Sequence, residues 1–146
     1  MRRESATTQL VFFTDRDLGR AFPTILRQAG LSVECHADHF ADDAPDEVWI
    51  AAVAAKGWTA VTHDKAISRR ANEKSAVFRA GLGLIVVVGG APHAELAQNF
   101  VATRSAIERF LGHHSPPFVA RLYRPTPAEL KRKRPRGRIE LWMDRE

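Results

Sequence analysis

Apolar positions in this chain fall into short continuous runs, separated by longer stretches with helical spacing. Residues 9–14 (QLVFFT) form an unbroken run of the kind expected for a strand covered on both faces. A helix is predicted next, from about Arg20, with Phe22, Ile25, Leu26 and Ala29 on one stripe, Pro23 in its first turn and Gly30 as stop signal. Residues 31–35 read as a second short strand and residues 36–44 as a polar loop. Asp43 is the predicted N-cap of the following helix, with Pro45 near its first position; that helix runs to about Lys56 and ends at Gly57. Residues 59–62 give a third strand, residues 64–71 a short helix, and residues 83–88 a fourth strand stopped by Gly89 and Gly90. One long helix is predicted from Pro92 to Leu111, capped by Gly112, with Leu96, Phe100, Thr103, Ile107 and Leu111 facing inward. The tail alternates with a period of two. Residues 118–123 and 138–143 are β-like and flank a basic, Pro-rich stretch, which predicts a terminal hairpin or an added edge strand.

Strands alternating with helices favour a parallel sheet with helices on its faces. In such a sheet every strand-to-helix junction lies at the carboxyl end of the strands, where open α/β sheets place their ligands. The aspartates of this chain fall at those junctions: Asp15 and Asp17 after the first strand, Asp43 and Asp46 before the second helix, and Asp64 after the third strand. Asp46 shares one helical face with Trp49, Ile50 and Val53, the face pressed on the sheet, so it points inward from the first turn. Glu47 is rotated by about 100° from it and reaches the same place only from the side. Like charges gathered in this way need a positive partner, and a hard divalent cation with oxygen ligands is the usual answer. Asp15, Asp46 and Asp64 are therefore the expected metal-binding and catalytic acids, with Asp17, Asp43 and Glu47 as further candidates. The competing reading makes each acid a helix cap or a counter-charge to the helix dipole.

Basic residues extend the same picture. Lys65, Arg69 and Arg70 follow Asp64, and Arg16 separates Asp15 from Asp17, all placed to hold a phosphate backbone. The formal net charge of +5 is uneven: residues 131–146 carry seven of the 22 Lys and Arg but only three of the 17 Asp and Glu. The run Lys131, Arg132, Lys133 and Arg134 is thus either a nucleic-acid contact or a solvated loop. Cys35, His36, Asp38 and His39 have ligand types suited to zinc, but no second cluster has matching spacing. A single cysteine rules out an internal disulfide and suits a reducing cytoplasm; no signal-like start and no span of membrane length is present.

The strand ending in Asp15, then Leu18 and ILRQAG before LSVEC, resembles the PIN-like domains, and APDEVWIAAVAAKGWTAVTHDKAI (residues 44–67) resembles them more strongly. The resemblance covers roughly residues 9–90 and is nearest to the VapC-type toxins of toxin–antitoxin systems. It implies a single domain over residues 1–146, a three-layer α/β/α sandwich with a mainly parallel central sheet plus a C-terminal β segment. It implies an Mg²⁺- or Mn²⁺-dependent ribonuclease acting on RNA, with Asp15, Asp46 and Asp64 as metal-binding acids, an antitoxin protein as partner, and room for a homodimer. The terminal β segment, with Trp142 and Met143, and the outer helices are the expected exposed contacts for that partner. One departure is visible: after the fourth strand, residues 88–93 (VGGAPH) bring no acid where many PIN nucleases have a fourth. That leaves open a PIN-like module that binds RNA or protein without cutting. Asp15-Arg16-Asp17 after an apolar strand also resembles the opening motif of haloacid-dehalogenase-type phosphotransferases, although no later Lys and acidic pair follow.

Overall fold

A computed structural model of the chain describes residues 10–63 and 71–144. Its centre is a six-stranded sheet of β1 (Val11–Thr14), β2 (Ser32–Cys35), β3 (Thr59–Thr62), β4 (Gly83–Val87), β5 (Phe118–Tyr123) and β6 (Arg138–Asp144). The spatial order is β2-β1-β3-β4-β5-β6; the first five strands are parallel, and β6 runs antiparallel to β5. Helices α1 (Ala21–Gln28), α2 (Asp46–Ala55), α3 (Ala71–Ala80), α4 (His93–Ala102) and α5 (Arg104–His113) cover it.

Side-chain alternation along the strands divides the core in two. Phe12, Val61, Ile85 and Leu122 pack with Phe22 and Leu26 of α1, Leu96 and Phe100 of α4, and Ile107 of α5. Phe13, Ala60, Leu84 and Val119 face the other way, onto Trp49, Ile50 and Val53 of α2 and Ala76 and Val77 of α3. This is the expected three-layer α/β/α sandwich, with β6 as the added C-terminal edge strand. The face shared by α1 and α4 is closed by edge-on aromatic pairs, Phe100 standing 5.2 Å from Phe12 and 5.8 Å from Phe22 between ring centroids.

The crossovers do not all turn the same way. The β1-to-β2 step moves outward over the α1 face, and the β2-to-β3 and β3-to-β4 steps move back over the α2–α3 face, so these three share one hand. From β4 to β5 the chain keeps that direction but passes over the α1 face, through α4 and α5. That connection has the opposite hand, in a class of connection where about 98% agree.

Three local expectations are corrected. Asp43 does not cap α2. Helical geometry begins at Asp46, after Pro45 in the cap position at φ −59°, ψ 147°, and Asp43 is exposed in the preceding turn. Proline disfavours the helical region for the residue before it, which keeps Ala44 out of the helix and leaves Asp43 too far upstream. The long helix is two: Thr103, at φ −98°, ψ 5°, separates α4 from α5, its hydroxyl donating to the Asn99 carbonyl at 2.7 Å. Such back-bonding bends helices. Gly112 accordingly lies inside α5, whose C-cap is His114. Helix α3 was not anticipated, because residues 71–80 (ANEKSAVFRA) carry only a narrow apolar stripe. The short helix predicted for residues 64–71 lies, up to residue 70, outside the described residues.

The basic connection between β5 and β6 is tied down at both ends. Thr126 N–H donates to Glu129 at 2.8 Å, and Glu129 N–H donates to the Thr126 hydroxyl at 3.2 Å. This reciprocal capping box starts a short turn at Glu129–Lys131. At the far end Gly137 N–H donates to the Thr103 hydroxyl at 2.9 Å, while Asn99 donates to the Tyr123 carbonyl at 3.2 Å. A Cβ on Gly137 would overlap that carbonyl and the Asn99 amide.

Two glycines should therefore respond in opposite directions in urea unfolding. Gly137→Ala is expected to cost about 1–3 kcal/mol, as overpacking does. Gly112→Ala, in a helix with open space around it, should gain about 0.5–1 kcal/mol. A loss at Gly112 would mean that it does cap the helix.

Candidate functional site

The site is assembled where β1 and β3 end. Asp15 follows β1 in extended conformation (φ −68°, ψ 157°), and its N–H still bonds the Val61 carbonyl of β3 at 2.9 Å. It caps a 3₁₀ turn at Arg16–Leu18, accepting from Arg16 N–H at 2.7 Å, and buried Leu18 anchors that turn in the core. The turn brings Asp17 round to the same side as Asp15. Between them stands Thr62, the last residue of β3, its Oγ1 at 2.9 Å from Asp15 Oδ2 and 3.2 Å from Asp17 Oδ2. One hydroxyl proton thus serves two carboxylates. Asp17 also accepts from His63 N–H at 3.3 Å.

Asp46 approaches from the first turn of α2. Trp49, one turn on, donates its indole N–H to Asp46 at 2.9 Å, and the Arg16 guanidinium lies at 3.8 Å. Arg16 also donates to the Ala44 carbonyl at 3.4 Å and stands 3.1 Å from His36 Nε2. Because arginine only donates, His36 Nε2 must accept, which places the ring hydrogen on Nδ1. Burial and the neighbouring Arg16 charge both lower the His36 pKa, in keeping with a neutral ring. Among the described residues His36 Nδ1 is buried without a hydrogen-bond partner.

Electrostatics single out Asp15, which is only 6% exposed. Burial first, and the Asp17 charge second, push its pKa up to about 6; Asp46 adds to the rise, while the bonds from Thr62 and Arg16 N–H oppose it. A cleft of about 590 Å³ borders Asp15 on its β2 side, lined by Arg16, Arg20, Pro23, Cys35, His36 and Asp42 among others.

Of the expected acids, Asp15 and Asp17 meet on the Thr62 hydroxyl and Asp46 lies near enough for its charge to act on Asp15, but among the described residues these three are not arranged as a group that could hold a metal ion. Asp43 and Glu47 stand exposed outside the cluster. Asp64, Lys65, Arg69 and Arg70 lie outside the described residues. Arg16, expected on RNA, is turned toward His36 and Asp46. Lys131, Arg132, Lys133 and Arg134 are exposed on the β5–β6 connection. That connection leaves from the same carboxyl end of the sheet, three strand positions from β1, or about 14 Å at the usual spacing. Trp142 and Met143 are half-buried against the α2–α3 side of the core, and the Arg121 guanidinium covers the Trp142 ring at 3.3 Å. They are not the exposed contacts expected. Cys35 and His39 also fail to form a zinc site: among the described residues no group of three or more His, Cys, Asp or Glu is arranged to hold a metal ion. No described helix is long and apolar enough to cross a membrane.

Thr62 and Trp49 were not recognised from the sequence as parts of the site. Trp49 was visible as a residue on the Asp46 face, read as packing only. Thr62, a hydroxyl one residue before the strand ends, carried no separate signal.

The raised pKa of Asp15 gives a signed prediction for metal-free protein. A carboxyl that holds its proton more tightly when folded favours the native state at low pH. That contribution is complete below the unfolded value near 3.8 and is lost as pH rises through about 6. Asp15→Asn should remove the dependence, making the variant more stable than wild type at pH 7.5, by up to about 3 kcal/mol, but not at pH 3.5. Urea unfolding in chelator at both pH values checks this, and equal differences at the two would refute it.

The PIN like domain family model matches residues 10–89, which hold β1 to β4 and every residue of the Asp15 cluster. No curated protein and no solved structure matches the chain. With more than half of its length covered by that match, the chain belongs to the PIN-like domain family, whose fold is of the nuclease type.

Proposed function

We propose that this protein is a metal-dependent ribonuclease that hydrolyses RNA phosphodiester bonds, acting as the toxin of a toxin–antitoxin pair in the cytoplasm. The observation that carries this reading is a buried carboxylate, Asp15, set beside Asp17 and near enough to Asp46 to feel its charge, at the carboxyl end of a parallel sheet. Such a set is destabilising in isolation and consists of hard oxygen donors, the ligand type preferred by Mg²⁺ and Mn²⁺. In this reading Asp15, Asp46 and Asp64 hold the cation, and Asp17 is placed to join them. When bound, the cation supplies a water of lowered pKa and offsets charge on the phosphate.

The chain's own residues prepare that site. Thr62 keeps the Asp15 and Asp17 carboxylates turned to one another, and the Trp49 indole fixes the Asp46 side chain against the helix. Arg16, beside Asp46 and half-exposed, is placed to meet a phosphate oxygen at the rim. Lys65, Arg69, Arg70 and the Lys131 to Arg134 run supply further phosphate contacts along the strand. An antitoxin would bind at the outer edge of β6 or on the outer helices, since an uncontrolled ribonuclease harms its own cell.

The test is cleavage of a cellular RNA pool by purified protein in Mg²⁺, Mn²⁺ or chelator, with Asp15→Asn and Asp46→Asn alongside. Discrete metal-dependent fragments should appear. Each variant should lose activity by at least about 10–100-fold, the loss typical even of outer partners of metal sites, while circular dichroism stays native. Because water is the nucleophile here, a 2′,3′-cyclic phosphate product would sink the mechanism. Metal-independent RNA binding by folded protein that never cuts would favour a binding module instead.

A further inference from the structure

A second cleft, of about 410 Å³, lies toward the β6 edge of the sheet on its α1 face, between α5 and the start of β6. Arg109, His113, His114, Arg136 and Arg138 line it, and no carboxylate does. Arg109 and Arg136 are exposed, and the two histidine rings between them are held by backbone carbonyls. His113 Nδ1 meets the Arg109 carbonyl at 2.8 Å, and His114 Nδ1 meets the Phe110 carbonyl at 3.0 Å. Each Nδ1 therefore carries a hydrogen. The His114 ring is stacked on Phe110 at 4.0 Å between centroids. On the opposite wall, the Gly137 bond to Thr103 fixes the backbone between Arg136 and Arg138. Arg138 also reaches Glu129 at 3.7 Å and Glu140 at 3.3 Å.

We infer that this cleft is a docking site for the phosphate backbone of single-stranded RNA, separate from the acidic cluster. Forked guanidiniums suit phosphate oxygens. The exposed Lys131 to Arg134 run leads directly into the Arg136 wall, making one continuous basic track. A protein partner fits less well, because such interfaces centre on accessible aromatic or aliphatic anchors. Here Phe110 is buried, with His114 stacked on it. The inference rests on RNA being the substrate and deepens that reading. Strand β6 is four positions from β1, about 19 Å.

Fluorescence anisotropy with a labelled 12-nucleotide single-stranded RNA tests it, in chelator so that nothing is cut, across a salt series. The Arg109→Gln/Arg136→Gln double variant should bind about tenfold more weakly, with a log–log salt slope shallower by about 1.4, or 0.7 per lost contact. Arg79→Gln, an exposed arginine on α3 across the sheet, should match wild type. Unchanged affinity and slope in the double variant, or an equal loss in Arg79→Gln, would overturn the inference. So would retained RNA binding with lost binding of a polyglutamate peptide, which would assign the cleft to an acidic protein segment. Weaker binding by the double variant of a protein that never cleaves RNA would uphold the docking site and remove only the ribonuclease reading.

Discussion

Burying a carboxylate at the end of an apolar strand is the demand around which this molecule is organised. Asp15 sits directly after four residues that are almost wholly interior, and water reaches little of it. An uncompensated charge there would be costly, and the adjacent acids make it worse. What surrounds Asp15 reads as compensation: the Arg16 amide on one oxygen, the Thr62 hydroxyl on the other, and Arg16 leaning across toward Asp46. The compensation is partial, and the residual strain appears as a carboxyl that holds its proton to about pH 6. Sites of chemistry are where proteins tolerate such tension, because occupancy by a ligand relieves it.

Topology decides why the tension falls there. Strand β1 is flanked by β2 on one side and β3 on the other, and the chain leaves β1 and β3 over opposite faces of the sheet. The loops after these strands part, opening a crevice at the carboxyl end of β1. Asp15 and Asp17 line its floor and α2 delivers Asp46 from one flank. The reversed crossover between β4 and β5 fills the other flank. It lays α4 beside α1, so that the His93 ring crowds Gly19 closely enough to leave only 3.0 Å for a Cβ. Gly19 has φ +66°, so backbone and space both call for glycine at that turn.

Much of this was legible from residue patterns. Continuous apolar runs marked the buried parallel strands, and the helical register of Asp46 with Trp49, Ile50 and Val53 placed that acid on the inner face. The features that escaped depend on contacts between distant segments. Nothing local in residues 92–111 announces a break at Thr103, which is fixed partly by Gly137 arriving from 34 residues away. Helix α3 has a weak stripe and owes its form to packing against α2. Asp43 looked like a cap by type, but Pro45 moved the helix start beyond it. Thr62 gained its role only when β3 was set beside β1.

The family match stops at residue 89, yet the folded unit does not. All five residues of β4 are buried, and its outer neighbour β5 comes from beyond the match, as do the α4 and α5 side chains that cover the sheet on the α1 face. A fragment cut to the matched region would present β4, the most apolar strand, as an open edge, and would strip Phe100 from between Phe12 and Phe22. Such a fragment would be prone to self-association through that edge. The recognisable half of this protein is therefore not a portable module. The acidic end of the sheet is written in one half of the chain, and the other half completes the core beneath it.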